Sequence, residues 1–579
     1  MFHQDGPLSC SLSTPEGEKG LRRVPMCAER KAIYISDMGR CEPGSAISET
    51  AEYGHWRAIP YEAEGVSGTM ITAGIECNAP TVTLPLDVEG WYAIHLGIWT
   101  NWVDRVTRLK LTDDPCFSTA TTLYPDIKKT NYFASIGEVY WKCADLTGQA
   151  LHIGQQSGGT PWASGIAHVK LEPLTPEEVA AIQSDRAGSD TKRLVAYNDA
   201  WSVFGERALY TEEDIIEEVE PFRDTDFQKL LWGIGAGSMV QYLSEVGELA
   251  EKKGMSDFSR YCDRQAAESF RTLKERGIDP LKTVIDHAHD LGIELHGTYR
   301  VGGWVFPPPD DFEDGLYRQH PEWRCVNRDG RPVARLSYAF PGVKDFVISL
   351  FREVAERGAD GVNMAFIRGL PCVLYEEPIV EGFQQLHGQD PRQLPEDDPS
   401  WLSYRASWMT SFMRALREEM DRVGERQGRR IQVSAYVIET LAYNLQYGLD
   451  VAAWAEEGLV DFIIPNPWHG DMDVDVASFV EVTRGTDCQV FADILPRRMP
   501  AGEYRQRALD CYAAGVDGLA FWDTNSRYPF LNEWSMIRRL GHEEALQGWA
   551  ADEWPAYRQV PLHSLGGHHM GSYSPYWSA

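Results

Sequence analysis

Charged and aromatic residues follow short apolar segments at several places in the second half of this sequence. The clearest example is the segment 358–378, GADGVNMAFIRGLPCVLYEEP, whose first part is typical of a buried strand. This part runs directly into residues that could act chemically, namely Arg368, Tyr375, Glu376 and Glu377. Loops that follow buried strands carry the catalytic and binding residues of many α/β enzymes, so the segment is a candidate part of an active site.

Comparable residues follow other apolar segments. The candidate binding residues are Asp199, His296, Tyr299, Arg300, Trp304, Arg368, Tyr375, Glu439, Trp468, His469, Trp522 and Asp523. Charged side chains of these types can form hydrogen bonds with sugar hydroxyls, and indole rings can pack against the apolar faces of sugar rings. The 19 tryptophans among 579 residues favour this interpretation, although most of them are expected to fill the core. We therefore expect a small carbohydrate as the substrate.

Hydrolysis of a glycosidic bond requires two carboxyl groups on either side of that bond. One group is protonated and assists the leaving oxygen, while the other is ionised. We expect Glu376 to be the acid/base, and Asp493 to be the nucleophile of a retaining enzyme or the base of an inverting one. Glu377 is a further candidate, although an acidic residue there could simply begin a helix. Asp493 could instead brace the loop that follows its strand.

Eight apolar segments alternate with helical patterns after residue 190. They cover residues 193–199, 227–233, 293–300, 361–369, 431–437, 461–467, 489–495 and 518–523. This alternation predicts a (β/α)₈ TIM barrel, with a doubly wound open sheet as the alternative. In such a barrel the carboxyl ends of the strands meet at one mouth, and strands four and seven lie on opposite sides. The fold would thereby bring Glu376 and Asp493 to face each other.

The first part of the chain has a different pattern, with short β-rich segments separated by turn signals. This predicts an N-terminal antiparallel β-sandwich. Thr175, Pro176 and Glu178 then match a helix capping box with proline in the first turn. The expected organisation is an extension over 1–29, the sandwich over 30–174, a linker helix over 175–191, the barrel over 192–545 and a second extension over 546–579.

Composition limits the partners and the compartment. The formal net charge is −31, which disfavours nucleic acid and anionic membranes. The start of the sequence lacks the basic and apolar regions of a signal peptide, and the 11 cysteines contain no C-x-x-C pair. We therefore expect a cytoplasmic protein, which would exclude intact polysaccharide as the substrate. A homo-oligomer is also expected, because barrel enzymes with added modules often assemble.

Part of the barrel region resembles a known family. The run NRDGRPVARLSYAFPGVKDFVISLFREVAERGADGVNMAFIRG, together with YEEP and EDDPSWLSYRASWMTSFMRALREEM, resembles TIM-barrel proteins described as family-10-like glycosyl hydrolases. The resemblance extends over about residues 190 to 545 and implies a barrel that acts on carbohydrate. Family 10 xylanases carry an Asn-Glu pair at strand four and a glutamate at strand seven. This chain lacks that pair and has Asp493 at strand seven.

Two other functions are compatible with the sequence. A metal-assisted lyase or isomerase of sugars could use His296 and His469 with aspartates as ligands, but no spacing selects a metal, and we predict neither a metal nor a cofactor. A non-catalytic carbohydrate-binding protein is the other alternative. The sandwich is expected to support the barrel, and its own tryptophans, Trp91, Trp99 and Trp102, are alternative sugar-binding residues.

Overall fold

The computed structural model describes residues 31–74, 77–99, 106–122, 135–155, 163–251, 258, 260–304, 315–467, 474–549 and 557–569. Two units are present, a closed parallel barrel and an N-terminal sandwich of β-sheets. The predicted fold class is therefore confirmed. Within the described ranges, no helix is both long and apolar enough to cross a membrane.

The barrel contains eight parallel strands in chain order. Numbered one to eight, they are Leu194–Asn198, Phe227–Ala236, Glu294–Arg300, Gly361–Ala365, Gln432–Ile438, Phe462–Asn466, Gln489–Asp493 and Gly518–Phe521. Each pairs with its sequence neighbours, and strand one also pairs with strand eight, so that Leu194 lies opposite both Phe227 and Leu519. All eight apolar segments identified in the sequence form these strands, and the open-sheet alternative is wrong.

Successive side chains along each strand point alternately into and out of the barrel, because a β-strand has a period of two residues. In strand five, Tyr436 belongs to the apolar cluster inside the barrel, whereas Val433, Ala435 and Val437 belong to the larger cluster outside it. The inside cluster also contains Tyr197 and residues from strands two and six to eight. The barrel is thus a filled core whose upper layer carries aromatic side chains.

The outer face of the barrel is covered by helices. The barrel region contains Trp201–Glu206, Glu212–Ile216, Tyr261–Glu275, Pro280–Asp290, Gly315–Gln319, Pro341–Glu356, Glu377–His387, Pro399–Gln427, Leu441–Gln446, Val451–Glu456, Val476–Thr483, Ala501–Ala513, Leu531–Ile537 and Glu543–Leu546. In Pro341–Glu356 the buried residues Val343, Val347, Leu350 and Val354 recur at helical spacing, so one stripe packs against the strands. A short hairpin, Arg324–Val326 and Pro332–Leu336, and two small strands, Met239–Val240 and Glu248–Leu249, lie among the loops.

The sandwich contains two sheets. The larger sheet has the strand order Ile33–Ile35, His168–Pro173, Trp91–Ile98, Ser135–Asp145, Tyr557–Leu565, Trp56–Ala63, Val66–Ala73 and Ser164–Ile166, with Ile47–Ser48 and His568–His569 at its sides. The smaller sheet has the order Val82–Pro85, Ala150–Gln155, Thr107–Leu111 and Ser118–Ala120. One apolar cluster contains buried residues from both sheets. Trp99 is buried within this unit, whereas Trp102 lies outside the described residues.

The C-terminal segment returns to the sandwich. Strand Tyr557–Leu565 pairs with Ser135–Asp145 on one side and with Trp56–Ala63 on the other. The chain therefore enters and leaves the barrel through the same sheet. The loop after strand eight strengthens this connection, because Thr121 exchanges backbone hydrogen bonds with Pro529 and Leu531. The two units are thus joined by backbone hydrogen bonds, and Leu531 of the barrel region belongs to the apolar cluster of the sandwich.

The linker helix Pro176–Ala187 begins with the predicted capping box. Glu178 N–H donates to the Thr175 hydroxyl at 3.0 Å, and Thr175 N–H donates to the Glu178 carboxylate at 2.6 Å. The helix is attached to the barrel through His542, whose Nε2 lies 2.6 Å from Asp185 and whose Nδ1 lies 2.7 Å from Asp226. Burial disfavours the charged ring, but the two carboxylates outweigh it and raise the pKa of His542 to about 9.

We expect His542→Gln to destabilise the protein in a pH-dependent manner. The folded-state pKa lies above the ordinary 6.5, so this contribution is complete below about pH 6.5 and is lost as the pH rises through about 9. In urea denaturation near pH 6 the variant should lose about 2 to 3 kcal/mol of unfolding free energy, and the difference should shrink towards pH 10. A difference that stays constant with pH would contradict a charged His542.

Candidate active site

The mouth of the barrel contains a buried carboxylate at the end of strand seven. Asp493 is 9% exposed, and its Oδ1 accepts the backbone N–H of Trp522 at 3.1 Å. The side-chain amide of Asn466 donates to Oδ2. Burial raises the pKa of Asp493 to about 6, even though the charge of Arg527 and these two hydrogen bonds favour the ionised form. The carboxyl group can therefore change its protonation state close to neutral pH.

A second carboxylate lies at the end of strand eight. Asp523 has a φ of +50°, a left-handed conformation that is uncommon for a residue other than glycine. Its Oδ2 lies 2.5 Å from Arg497, while its Oδ1 is buried and accepts no hydrogen bond from the described residues. Burial and the charge of Asp199 raise the pKa of Asp523 to about 6, against the opposing effect of Arg497 and Arg300. One carboxylate oxygen of Asp523 thus has no hydrogen-bond donor among the described residues.

Residues of strands one, three and four complete this charged group. Arg300 Nη2 lies 2.9 Å from Asp199 Oδ2, and Asp199 Oδ1 accepts the N–H of Ser202 at 2.8 Å. Arg368 is exposed at the mouth, and its charge acts on Asp523 together with that of Arg300. The structure therefore brings together five of the residues singled out in the sequence, which are Asp199, Arg300, Arg368, Asp493 and Asp523.

Aromatic rings form the floor beneath these charges. Trp522 stacks on Tyr197 with ring centroids 3.8 Å apart and an interplanar angle of 15°, and Tyr436 meets Trp522 edge-on at 4.9 Å. Burial, together with the charge of Asp493, raises the pKa of Tyr436 well above its ordinary value. Its hydroxyl therefore stays protonated and is buried without a hydrogen-bond partner among the described residues. Tyr197 and Tyr436 were not identified from the sequence, because alternate residues of a strand look alike until one face is known to line the barrel.

Arg527 is the main residue of the site that sequence reasoning missed. It is completely buried, its Nε donates to the carbonyl of Trp522 at 3.1 Å, and its Nη2 donates to the carbonyl of Ile494 at 2.9 Å. These bonds connect the loops that follow strands seven and eight, and the positive charge favours ionised Asp493. The only sequence signal was its position shortly after Trp522 and Asp523.

Glu376 occupies a different position from the one expected of an acid/base. It is 1% exposed, and its two oxygens accept the backbone N–H groups of Val326 at 3.0 Å and Leu374 at 2.9 Å. Burial raises its pKa, while these hydrogen bonds favour the ionised form. Glu376 thereby attaches the loop after strand four to the hairpin Arg324–Val326. This arrangement, in which Glu376 joins two backbone segments, favours a structural role.

Several other candidate residues also make structural contacts. Tyr299 donates to the carbonyl of Gly237 at 3.0 Å, Trp304 donates to the carbonyl of Val301 at 3.0 Å, and Tyr375 stacks on Trp401 at 4.9 Å. Glu377 is exposed in the first turn of Glu377–His387, as the helix-start alternative predicted.

The remaining candidates include one at the wrong end of the barrel. His296 lies opposite Gly361, the first residue of strand four, and 3.6 Å from Glu294, so it faces the end away from the mouth. The expectation that it binds substrate at the mouth is therefore wrong, because it sits too early in strand three. Glu439 is buried just after strand five. Trp468 and His469 lie outside the described residues.

The described part of the chain contains no group of three or more His, Cys, Asp or Glu side chains arranged to hold a metal ion. Since His469 lies outside that part, the metal-dependent alternative is not tested by this observation. The carboxylates that the structure does bring together pair with arginines, as in the contact between Asp199 and Arg300. The geometry is suited to proton transfer and to binding of hydroxyl groups.

Comparison with known proteins connects this barrel to carbohydrate chemistry. Residues 255–483 match the family model described as glycosyl hydrolase-like 10, which confirms the resemblance found in the sequence. The matched residues include strands three to six of the barrel and the loop that contains Glu376. No curated protein matches the chain significantly.

Three solved structures are reported among those similar to this chain. The catalytic domain of a beta-amylase from Paenibacillus polymyxa is 8% identical, with 62% of this chain and 99% of that chain covered and a TM-score of 0.40. The alpha-galactosidase TtGalA from Thermus thermophilus is 13% identical, with 84% and 99% covered and a TM-score of 0.32. A beta-(1,4)-mannanase from Podospora anserina is 12% identical, with 88% and 99% covered and a TM-score of 0.27. Similarities this low carry no argument about the reaction of this protein.

We expect Glu376→Gln to lower stability without abolishing activity. The amide can keep only one of the two backbone hydrogen bonds, so the unfolding free energy should fall by about 1 to 2 kcal/mol. The neighbouring variant Glu377→Gln is the matched control and should change stability by less than about 0.5 kcal/mol, because Glu377 is exposed. Urea denaturation measures both effects. Equal stability of the two variants would contradict the structural role of Glu376.

Proposed function

We propose that this protein is a glycoside hydrolase that cleaves a small oligosaccharide or glycoside with Asp493 and Asp523 as its carboxyl pair. The observation that carries the proposal is the presence of two carboxyl groups, one buried and one half-buried, each with a pKa raised to about 6, at the ends of neighbouring strands. Carboxyl groups with perturbed pKa values in a cleft are candidates for acid and base catalysis. The match of residues 255–483 to a glycosyl hydrolase-like family supports the choice of reaction.

The environments of the two groups suggest different roles. Burial and the charge of Asp199 favour the protonated form of Asp523, and no described donor opposes a proton on its Oδ1. The protonated carboxyl group would then give its proton to the leaving oxygen of the glycoside. Asp493 accepts two hydrogen bonds and lies near Arg527, which favours the carboxylate form. Asp493 would then attack the anomeric carbon in a retaining reaction, or remove a proton from the attacking water in an inverting one.

The neighbouring residues would orient the sugar. Trp522 is 5% exposed and stacks on Tyr197, so it supports the two carboxyl groups from the core and leaves the sugar contacts to the polar residues around it. Arg300 is held by Asp199 and can donate further hydrogen bonds to sugar hydroxyls. These residues are contributed by strands one, three and eight, so a ligand bound to them would lie over the centre of the barrel.

We expect Asp493→Asn and Asp523→Asn to lower kcat by about 10²-fold to 10⁴-fold, because each removes a group that transfers a proton or forms a bond in the reaction. A panel of aryl glycosides and short oligosaccharides, assayed with and without EDTA, identifies the substrate and measures the effect. Glu377→Gln is the control, since it removes an exposed carboxylate of the same rim and should leave kcat unchanged.

The outcomes separate the remaining possibilities. Loss of activity in Glu376→Gln, with activity retained in Asp523→Asn, would return the acid/base role to Glu376. Sensitivity to EDTA would favour the metal-dependent alternative. Binding of a sugar by calorimetry, with no turnover of any member of the panel, would favour a carbohydrate-binding protein.

We also expect a bell-shaped pH dependence of kcat/KM with its maximum near pH 6. Activity requires Asp493 to be ionised and Asp523 to be protonated, so it should fall below and above about pH 6, with apparent pKa values that belong to the coupled pair. Arg497→Gln removes a charge that lowers the pKa of Asp523 and should move the alkaline limb to higher pH. A limb that does not move would contradict the assignment of Asp523 as the acid.

A further inference from the structure

A cavity lies beside the loop that follows strand four. It has a volume of about 640 Å³ and is lined by the hairpin turn, the loop after strand four, the helix Pro399–Gln427 and the end of Leu441–Gln446. Neither Asp493 nor Asp523 lines it. The volume is sufficient for a molecule the size of a monosaccharide derivative.

Arg405 is the most unusual side chain in the wall of this cavity. It is 6% exposed, and its Nη2 donates to the backbone carbonyl of Gln446. Its Nε is buried and has no acceptor among the described residues, and the guanidinium lies 5.9 Å from the ring of Trp401. Within the part of the chain that the structure describes, no carboxylate lies within ion-pair distance of Arg405, although the charges of Glu376 and Glu396 act on it from further away. A buried positive charge without a counterion is costly.

Another buried arginine on the same helix, Arg417, also has an Nε without an acceptor among the described residues, but its charge is paired. Arg417 lies 2.6 Å from Asp421 and 3.2 Å from Asp461, so its charge is compensated by two carboxylates. The exposed Arg414 pairs with Glu457 at 2.6 Å. Arg405 differs from both, because the space beside it is a cavity. An oxyanion bound in this cavity would therefore supply the direct ion pair that Arg405 lacks.

The other charged residues of the cavity do not supply the counterion. Arg328 donates to the backbone carbonyls of Arg392 and Leu394, both at 2.8 Å, and Arg392 pairs with Asp390 at 2.7 Å. Two carboxylates also line the cavity. Asp329 is paired with Arg331, and Glu396 is largely exposed and lies 3.9 Å from Arg328. The cavity is thus lined by three arginines, Arg328, Arg392 and Arg405, and by two acidic residues, although the net charge of the whole chain is −31.

We propose that this cavity binds a small molecule that carries a carboxylate or phosphate group, with Arg405 as the counterion of that group. A planar guanidinium suits such oxyanions, because its N–H groups can donate in parallel to two oxygens. Tyr375 and Leu374 provide an apolar wall next to Arg405 that can contact the carbon skeleton of the ligand. The ligand is thus an oxyanionic compound of about monosaccharide size. This proposal does not depend on the glycoside hydrolase assignment.

The test is isothermal titration calorimetry of the full chain with glucuronate, glucose phosphate and inorganic phosphate, and with glucose as the neutral control. We expect at least one anion to bind and glucose not to bind at this site. Arg405→Gln should weaken anion binding roughly tenfold or more, since it removes the charge of a direct ion pair. Arg414→Gln, on the same helix but outside the cavity, should bind as the wild type does.

Two further variants keep the test decisive. Leu374→Trp fills the cavity without removing a charge and should also weaken binding, whereas Asp493→Asn should leave it unchanged because Asp493 does not line the cavity. Preference for glucuronate identifies a carboxylate ligand, and preference for either phosphate identifies a phosphate-bearing one. Absence of anion binding to the wild type, or equal binding by the wild type and by Arg405→Gln, would overturn the proposal.

Discussion

Closure of the eight-stranded ring is the constraint on which the rest of the structure depends. Strand one forms backbone hydrogen bonds with both strand two and strand eight, so the parallel sheet has no free edge. Because all strands run in one direction, closure brings residues from distant parts of the sequence to one mouth. Asp199 and Asp523 are more than three hundred positions apart in the sequence, yet the charge of Asp199 raises the pKa of Asp523.

The second consequence of closure is the burial of charge. The mouth lies above a floor of aromatic rings, so carboxylates there are removed from water and their pKa values rise. Arginines compensate for much of this cost. The charge of Arg527 favours the ionised form of Asp493. Hydrogen bonds from Arg527 to carbonyl groups of the loops after strands seven and eight hold this side chain in place. The site is therefore held by the backbone of the barrel and not by the carboxylates alone.

The sandwich also contributes to the environment of the mouth. Arg108, on a strand of the smaller sheet, pairs with Glu217, which also contacts Arg207 at 3.3 Å. Arg207 continues to Glu218 at 3.0 Å, and Glu218 accepts the hydroxyl of Tyr528 in the loop after strand eight. A continuous set of polar contacts thus extends from the sandwich to the rim of the barrel. The return of the C-terminal strand to the same sheet connects the two units a second time.

The sequence by itself determined the barrel, the sandwich and the capped linker helix, because these depend on local periodicity and turn chemistry. It also determined that Asp493 and Asp523 end their strands, since a carboxylate directly after an apolar run is visible in one dimension. Only the tertiary structure decided which hydrogen bonds each acidic residue accepts. Glu376 and Asp523 look alike in the sequence, but two backbone N–H groups occupy Glu376, whereas one oxygen of Asp523 accepts no hydrogen bond within the described residues. Such differences arise from contacts between distant segments, as does the burial of Arg527 and Arg405.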